Sequence, residues 1–273
     1  MMPSLHGFAA LGIPALRRCR ESESSILSID EIGYLELQCP EYCRELEALL
    51  ETKQVIAALR KQPLPFLQKL LMREDVFTVD LDAPFGSPGC VIMASGLGKR
   101  FGGNKLTSPF LGKPLIEWAL DATDGVFARR VVVTRHEDVA TLCRKRNIPA
   151  IVHDLPFRSD TVRLGLEAMA DLSGCLFCPG DQPLLSADTV RALALCAVNA
   201  PDAIWQPRCG DRRGAPMFFP KRTFAQLLSL PEGKGGSFVA KSHPDWVQTL
   251  AIEADRELED IDTPEDLLRL SKM

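Results

Sequence analysis

The chain concentrates its chemically able residues in three places. The first is the run Met93-Ala-Ser-Gly-Leu-Gly-Lys-Arg-Phe-Gly-Gly-Asn-Lys105, with four glycines and three cations. Glycines let backbone N–H groups approach and encircle phosphate oxygens, and Lys99, Arg100 and Lys105 can neutralise a triphosphate. The spacing is not that of a P-loop, which requires Gly-x-x-x-x-Gly-Lys-Ser/Thr. Nor is it the dinucleotide fingerprint, because Gly96-Leu-Gly98 is followed by Phe101 rather than glycine. By composition alone, a solvated surface loop is as good a reading as a phosphate cradle.

The other two places are acidic. In Gly180-Asp-Gln-Pro183, Asp181 follows the apolar run 175–178 and should project from a strand's carboxyl end, although an Asp before Pro also suits a plain turn. In Glu259-Asp-Ile-Asp-Thr-Pro-Glu-Asp-Leu267, alternation puts Asp260 and Asp262 on one face, while Thr263 and Asp266 cap a helix. Acids at a helix start also answer its dipole, which accounts for part of the cluster. A hard cation that keeps several waters needs only one or two carboxylates plus phosphate oxygens, and one Asp per strand end can supply them. The nine cysteines offer less. Cys175 and Cys178 would point to opposite faces of a strand, which is poor chelating geometry. Cys39 and Cys43, at a helix start, lack partners. They read as core thiols, and the four histidines (6, 136, 153, 243) share no ligand spacing and receive no role.

The elements that must position these residues alternate. Asp82-Ala-Pro-Phe-Gly-Ser-Pro-Gly89 is dense in Pro and Gly and predicts a boundary between segments 1–85 and 86–273. Before it, strands are predicted over 25–29, 55–59 and 76–79 and helices over 41–50 and 65–71. After it, strands are predicted over 90–94, 130–134, 151–153 and 175–178, with helices over 114–122, 137–146, 161–170 and 187–197. A last helix opens at Thr263-Pro264, and Ser186 is a good N-cap for the one before it. Five or more strand–helix units predict an α/β protein with a mostly parallel, doubly wound sheet, whose ligands bind beyond the carboxyl ends of the strands.

The order of these segments resembles the nucleotidyltransferases of the GT-A-like, Rossmann-like fold, and within them the molybdenum-cofactor group (MobA/MocA-like). That group attaches CMP or GMP to molybdopterin. Ala94-Ser95-Gly96 stands where the group has Ala-Gly-Gly or Ala-Ala-Gly. Arg100-Phe101-Gly102 matches Arg-Met-Gly, Lys105 matches its lysine, and Phe110-Leu-Gly-Lys-Pro-Leu115 matches the stretch that follows. Ser95 departs from the usual Gly or Ala. Asp-Gln-Pro at 181–183 and Asp-Ile-Asp-Thr-Pro-Glu-Asp-Leu at 260–267 resemble the cytidylyltransferase branch. By this resemblance Ala94, Ser95, Gly96, Leu97, Gly98, Lys99, Arg100, Gly102, Lys105, Ser159, Thr161 and Asp181 bind the nucleotide. Arg100 and Lys105 serve catalysis, and Asp181 and Asp262 hold Mg²⁺. Gly214-Ala-Pro-Met-Phe-Phe219 resembles the run lining the acceptor pocket, whereas Glu232 and Lys234 break the pattern after it. The resemblance covers about residues 89–272. It implies CTP, or GTP as the alternative, and a molybdopterin acceptor, with docking to a molybdenum hydroxylase as a further expectation. Rival readings are a sugar- or polyol-phosphate nucleotidyltransferase, a nucleoside-triphosphatase and a non-catalytic cofactor carrier.

Residues 28–36, Ser-Ile-Asp-Glu-Ile-Gly-Tyr-Leu-Glu, resemble the Walker B region of THEP-type nucleoside-triphosphatases. No P-loop sequence accompanies it, so Asp30 and Glu31 have no triphosphate to act on. Segment 1–85 therefore reads as a truncated remnant with a structural or docking role, or as the second half of a longer native chain. Net charge over 273 residues is −4, and no basic stripe with interleaved aromatics occurs, so nucleic acid is not an expected partner. No run of 18 apolar residues and no signal-peptide pattern is present, which predicts a cytoplasmic protein with no membrane span and reduced thiols.

Overall fold

The computed structural model describes residues 5–272, which divide into two compact units meeting in sequence between Thr78 and Val79. In the first unit, α1 (Leu5–Gly7) runs through a π-helical turn into α2 (Ile13–Glu21). Strand β1 (Ile26–Ile32), helix α3 (Pro40–Leu50), strand β2 (Gln54–Leu59) and helix α4 (Pro65–Leu71) follow. Pro40 and Pro65 occupy first turns, where a missing N–H costs nothing. The two strands pair in parallel from Ile26↔Gln54 to Ile32↔Leu59. Leu16, Leu46, Leu49, Leu67 and Leu70 pack with Ile32 as one core. The strand predicted over 76–79 does not form. β-branched residues alone do not make a strand without a neighbouring edge to pair with, and Phe77 and Val79 lie exposed.

The second unit carries the long sheet. Its strands are β3 (Gly89–Ala94), then, after a small hairpin of β4 (Pro109–Phe110) and β5 (Lys113–Pro114), β6 (Arg129–Thr134), β7 (Ala150–Val152) and β8 (Gly174–Pro179). These are followed by β9 (Ile204–Cys209), β10 (Arg212–Arg213), β11 (Met217–Pro220) and β12 (Val247–Ala251). The order across the sheet is β10-β9-β11-β8-β3-β6-β7, with β12 beside β9. The pairs β8-β3, β3-β6, β6-β7 and β12-β9 are parallel, while β11 is antiparallel to both of its neighbours. Helices α5 (Leu115–Ala122), α6 (Glu137–Lys145), α7 (Arg158–Glu167), α8 (Ala187–Asn199), α9 (Phe224–Leu228), α10 (Gly236–Ser242) and α11 (Pro264–Leu270) complete the unit. The α/β fold with a mostly parallel sheet is the one the sequence predicts.

Central β3 is buried on both faces, as a parallel strand covered by helices must be. Alternation sends Cys90 and Ile92 into a core with Ile116, Leu120, Val190 and Leu193. Val91 enters the opposite core with Val133, Val162, Leu166 and Phe219. Gly165 lets α7 lie directly on the sheet, since a Cβ there would stand 2.5 Å from Val91 Cγ1. All nine cysteines are free thiols. Burial pushes Cys178 up to about 12 and raises Cys90 and Cys175 well above the ordinary thiol value, so these are core residues rather than ligands. No described helix is long and apolar enough to cross a membrane.

Candidate functional site

The glycine-rich loop leaves the carboxyl end of β3, and its turn is built on Gly98. This residue has φ +58°, and a Cβ on it would fall 1.8 Å from Gly103 O, so only glycine fits. Gly98 O accepts from the amides of Phe101 (3.0 Å), Gly102 (3.0 Å) and Gly103 (3.2 Å). Those three amides are spent inside the loop. His136 Nε2 lies 2.8 Å from Gly96 O and ties the first glycine to the start of α6. At the far end, Asn104 donates to both Asp138 oxygens at 2.9 Å, and its own Oδ1 accepts from Leu106 N at 3.1 Å. Burial pushes the Asp138 carboxyl up, but the hydrogen bonds from Asn104 and Val139 outweigh it and hold the group below the usual carboxylate range. Asp138 thus anchors the turn from which Lys105 projects.

Lys105 is the centre of the site. Its Nζ lies 2.7 Å from Asp181 Oδ2 and 2.9 Å from Asp262 Oδ1, with the side chain only 7% exposed. Arg100 Nη2 reaches the second oxygen of Asp262 at 2.7 Å. Burial alone would lower the Lys105 pKa; the charges and hydrogen bonds of Asp181 and Asp262 overcome it and raise the group, which stays protonated. Asp181 follows β8, and its carbonyl accepts from Ile261 N at 2.9 Å, which fixes the two acidic segments against each other. Asp262 and Thr263 N–H both donate to Asp266 Oδ2, and Thr263 Oγ1 accepts from Asp266 N, a complete capping box for α11. Asp260 lies close by. Burial, then the neighbouring Asp181 charge, raises its pKa above the ordinary value.

Around these groups opens a cleft of about 780 Å³. Ser95, Gly96, Leu97, Gly98, Lys99, Arg100, Lys105, Thr161, Asp181 and Asp262 line it. Three residues of the sequence-derived set stand elsewhere. Ala94 is buried at the end of β3 with its carbonyl bonded to Thr134, Ser159 is buried in the first turn of α7, and Gly102 lies outside the lining. The helix carrying Ser159 and Thr161 starts at Arg158, earlier than predicted, because Asp160 caps it by accepting from Phe157 N at 3.0 Å. Sequence reasoning passed over Arg135 and Arg212, which line the cleft, and the supporting His136, Asp138 and His153. Their partners are 34 to 58 residues away, so no local spacing could reveal them.

Among the described residues, no group of three or more His, Cys, Asp or Glu side chains forms a metal cage. Two carboxylates sharing one ammonium nevertheless make a donor set suited to a hard cation. Asp181 and Asp262 offer oxygens that already converge on a positive charge, and Mg²⁺ is typically bound by one or two carboxylates plus phosphates and water.

A model of the MobA-like NTP transferase domain matches residues 90–247, the span from β3 to the start of β12. The chain belongs to this family. Its MobA-like domain has the fold of solved nucleotidyltransferases. The Mycobacterium tuberculosis protein Rv0371c is 23% identical with a TM-score of 0.61, covering 68% of this chain and 99% of that one. Molybdopterin-guanine dinucleotide biosynthesis protein A of Archaeoglobus fulgidus is 22% identical at TM-score 0.53, covering 68% and 100%. CMP:2-keto-3-deoxy-manno-octonic acid synthetase, solved with CTP, is 14% identical at 0.57, covering 68% and 98%. At these identities the likeness is one of fold. Among curated proteins, the bifunctional protein GlmU of Gluconacetobacter diazotrophicus is 33% identical over 127 residues, 42% of this chain and 26% of that protein. GlmU of Thermoanaerobacter pseudethanolicus is 28% identical over 108 residues, 38% of this chain and 24% of that protein. The matches thus span about a quarter of the length of these relatives. Ahead of the MobA-like domain, residues 2–83 match an NTPase family model.

Proposed function

We propose that the protein transfers CMP from CTP to a molybdopterin acceptor with release of pyrophosphate. The arrangement of Lys105 between Asp181 and Asp262, beside a loop suited to phosphates, carries this reading. An acceptor phosphate oxygen attacks the α-phosphorus of the nucleotide, the bond to the bridging oxygen breaks, and pyrophosphate leaves. No protein nucleophile is required, because positioning and charge stabilisation suffice for such a displacement. Residues 95–100, with Lys99 and Arg100, hold the β- and γ-phosphates. Lys105 stabilises charge on the transferring phosphoryl, and Thr161 contacts the nucleoside. Asp181 and Asp262 would hold Mg²⁺, which when bound neutralises phosphate charge. Arg135, Arg158, Arg212 and Arg213 make the remaining cleft wall positive, as a phosphate-bearing acceptor requires. Segment 1–85 is taken as an NTPase-like support, separate from the transferase domain of 86–273, and a client molybdenum hydroxylase in the cytoplasm as the receiver of the product.

The test is pyrophosphate release with Mg²⁺, Mo-molybdopterin and each of CTP, GTP, ATP and UTP. Release with CTP that depends on the pterin is expected. Release with GTP alone would move the assignment to a guanylyltransferase, and release only with a sugar or polyol phosphate would replace the acceptor. Phosphate release without any acceptor would overturn the reading in favour of a nucleoside-triphosphatase.

A further inference from the structure

Lys105 can act only from where its backbone places it, and that place is set from outside the cleft. It begins a short 3₁₀ turn, Lys105–Thr107, whose cap is Asn104: Asn104 Oδ1 accepts from Leu106 N at 3.1 Å. The other end of the same amide donates to both oxygens of Asp138 at 2.9 Å. Thr107 Oγ1 donates to Asp138 Oδ2 at 3.4 Å, and Val139 N donates to Asp138 Oδ1 at 2.8 Å. A carboxylate only accepts and a backbone N–H only donates, so the Asn104 amide stands in one orientation. Turned over, it would set its oxygen against the carboxylate and its NH₂ group against Leu106 N–H.

The turn that supplies Asp138 is itself pinned to the sheet. It opens α6 beyond the end of β6, where the fully buried Thr134 donates through Oγ1 to Ala94 O and accepts from His136 N, both at 3.0 Å. Ala94 closes β3, the parallel neighbour of β6 from which the glycine-rich loop leaves. A continuous frame thus runs from two paired strands, through the first turn of α6, to Asn104 and the root of Lys105. At the other end of the side chain, the ammonium must meet Asp181 at 2.7 Å and Asp262 at 2.9 Å together, which tolerates little displacement of that root. Asp138 is exposed and is not part of the cleft wall, so it touches no reacting group. We infer that Asp138 is a positioning residue for the transfer reaction, setting through Asn104 the reach of Lys105 between Asp181 and Asp262. The inference rests on the reading of Lys105 given above and extends the machinery to a residue outside the cleft.

The test is a double-mutant cycle on the full chain, reading kcat for pyrophosphate release with CTP, Mg²⁺ and Mo-molybdopterin. Asp138→Asn keeps the shape, removes an acceptor and lies at the surface, so the fold should stand. A misplacement of about 1 Å can cost about 10²-fold, so kcat should fall by roughly 10- to 100-fold, with the KM for CTP within about threefold. In a Lys105→Met background the same substitution should change kcat by less than about twofold, because the group it positions is gone. A merely structural role would lower kcat by the same factor in both backgrounds. Asn104→Asp combined with Asp138→Asn exchanges donor and acceptor while keeping the pair, and should regain most of the lost kcat. Asn104→Asp alone sets two carboxylates face to face and should not. A kcat for Asp138→Asn within twofold of wild type, equal losses in the two backgrounds, or no recovery in the exchanged pair would overturn the inference alone. Near-normal turnover by Lys105→Met, or no turnover by the wild type, would overturn the reading of Lys105 and the inference with it.

Discussion

Replacing Lys105 by methionine keeps most of the stem and deletes one charge, which makes it the sharpest probe of the site. The Lys105 side chain is 7% exposed, but those of its partners Asp181 and Asp262 are 26% and 35% exposed. Removing one member of a fully buried pair costs about 3–5 kcal/mol, and an exposed pair is worth about 0–1 kcal/mol. With carboxylates a quarter to a third open to water, about 2 kcal/mol is expected, between those limits. For a unit of this size the Tm should fall by roughly 4–8 °C. The catalytic loss should be larger. A donor aimed at developing charge is worth about 2.7–4 kcal/mol, so kcat for pyrophosphate release should drop roughly 10²–10³-fold, measured well below the variant's Tm.

A second readout separates this role from simple support of the fold. In the wild type the ammonium occupies both carboxylates that a divalent cation would use. Lys105→Met removes the cation shared by Asp181 and Asp262 and leaves only Arg100 beside Asp262, so Mg²⁺ without nucleotide should raise the Tm of the variant more than that of the wild type. At 100 times its Kd, a cation that binds only the folded form stabilises it by about 2.7 kcal/mol. Activity within threefold of wild type, or equal Mg²⁺ shifts in the two proteins, refutes the reasoning.

Two further outcomes follow from the same geometry. Gly98→Ala places a Cβ 1.8 Å from Gly103 O at a positive φ, so the loop must refold; nucleotide affinity should fall by more than about tenfold while the Tm, set by the core, moves little. Asp260 has a pKa raised in the folded protein, chiefly by burial and then by Asp181. It binds more protons folded than unfolded, so its contribution is intact in acid and is lost as pH rises through the folded pKa. Asp260→Asn should therefore be more stable than wild type at pH 7, with the gain absent below about pH 4, the unfolded value. Tm measured across that range checks the sign, and a variant less stable at pH 7 would contradict it.

What could be read from the sequence is what neighbouring residues decide. The strand leading into Gly96-Leu-Gly98, the Ser186 cap and the Thr263-Pro264-Glu265-Asp266 capping box each depend on contacts within a few positions, and each is in place. The antiparallel strands β9 to β11 were missed because Pro207, Gly210, Gly214 and Pro216 interrupt their alternation. They form because Phe218 and Phe219 complete two cores, a tertiary effect that outweighs local preference. Helix α2 was missed for a similar reason. Pro14 and the glycines at 7 and 12 argue against it locally, yet Pro14 sits in its first turn and Leu16 is buried in the core of its unit. His136, Asp138 and His153 act across 34 to 58 residues, and only the folded sheet brings them to the loop.

Charge balance explains how such a site can be assembled before any reaction. Arg100 and Lys105 bring two positive charges, and Asp181 and Asp262 bring two negative ones, linked in a chain of 2.7–2.9 Å contacts. The four neutralise one another within the protein, so neither sign is left buried without a partner. In the proposed reaction a nucleotide with Mg²⁺ would exchange these contacts like for like, carboxylates turning to the cation and Lys105 and Arg100 to the phosphates. Asp260 cannot join the exchange as a full charge without cost, because its carboxyl is already raised by burial and by Asp181. The same accounting separates the roles of the three aspartates. Asp181 and Asp262 each contact a cationic side chain, whereas the Asp260 carboxyl is raised by burial and by Asp181.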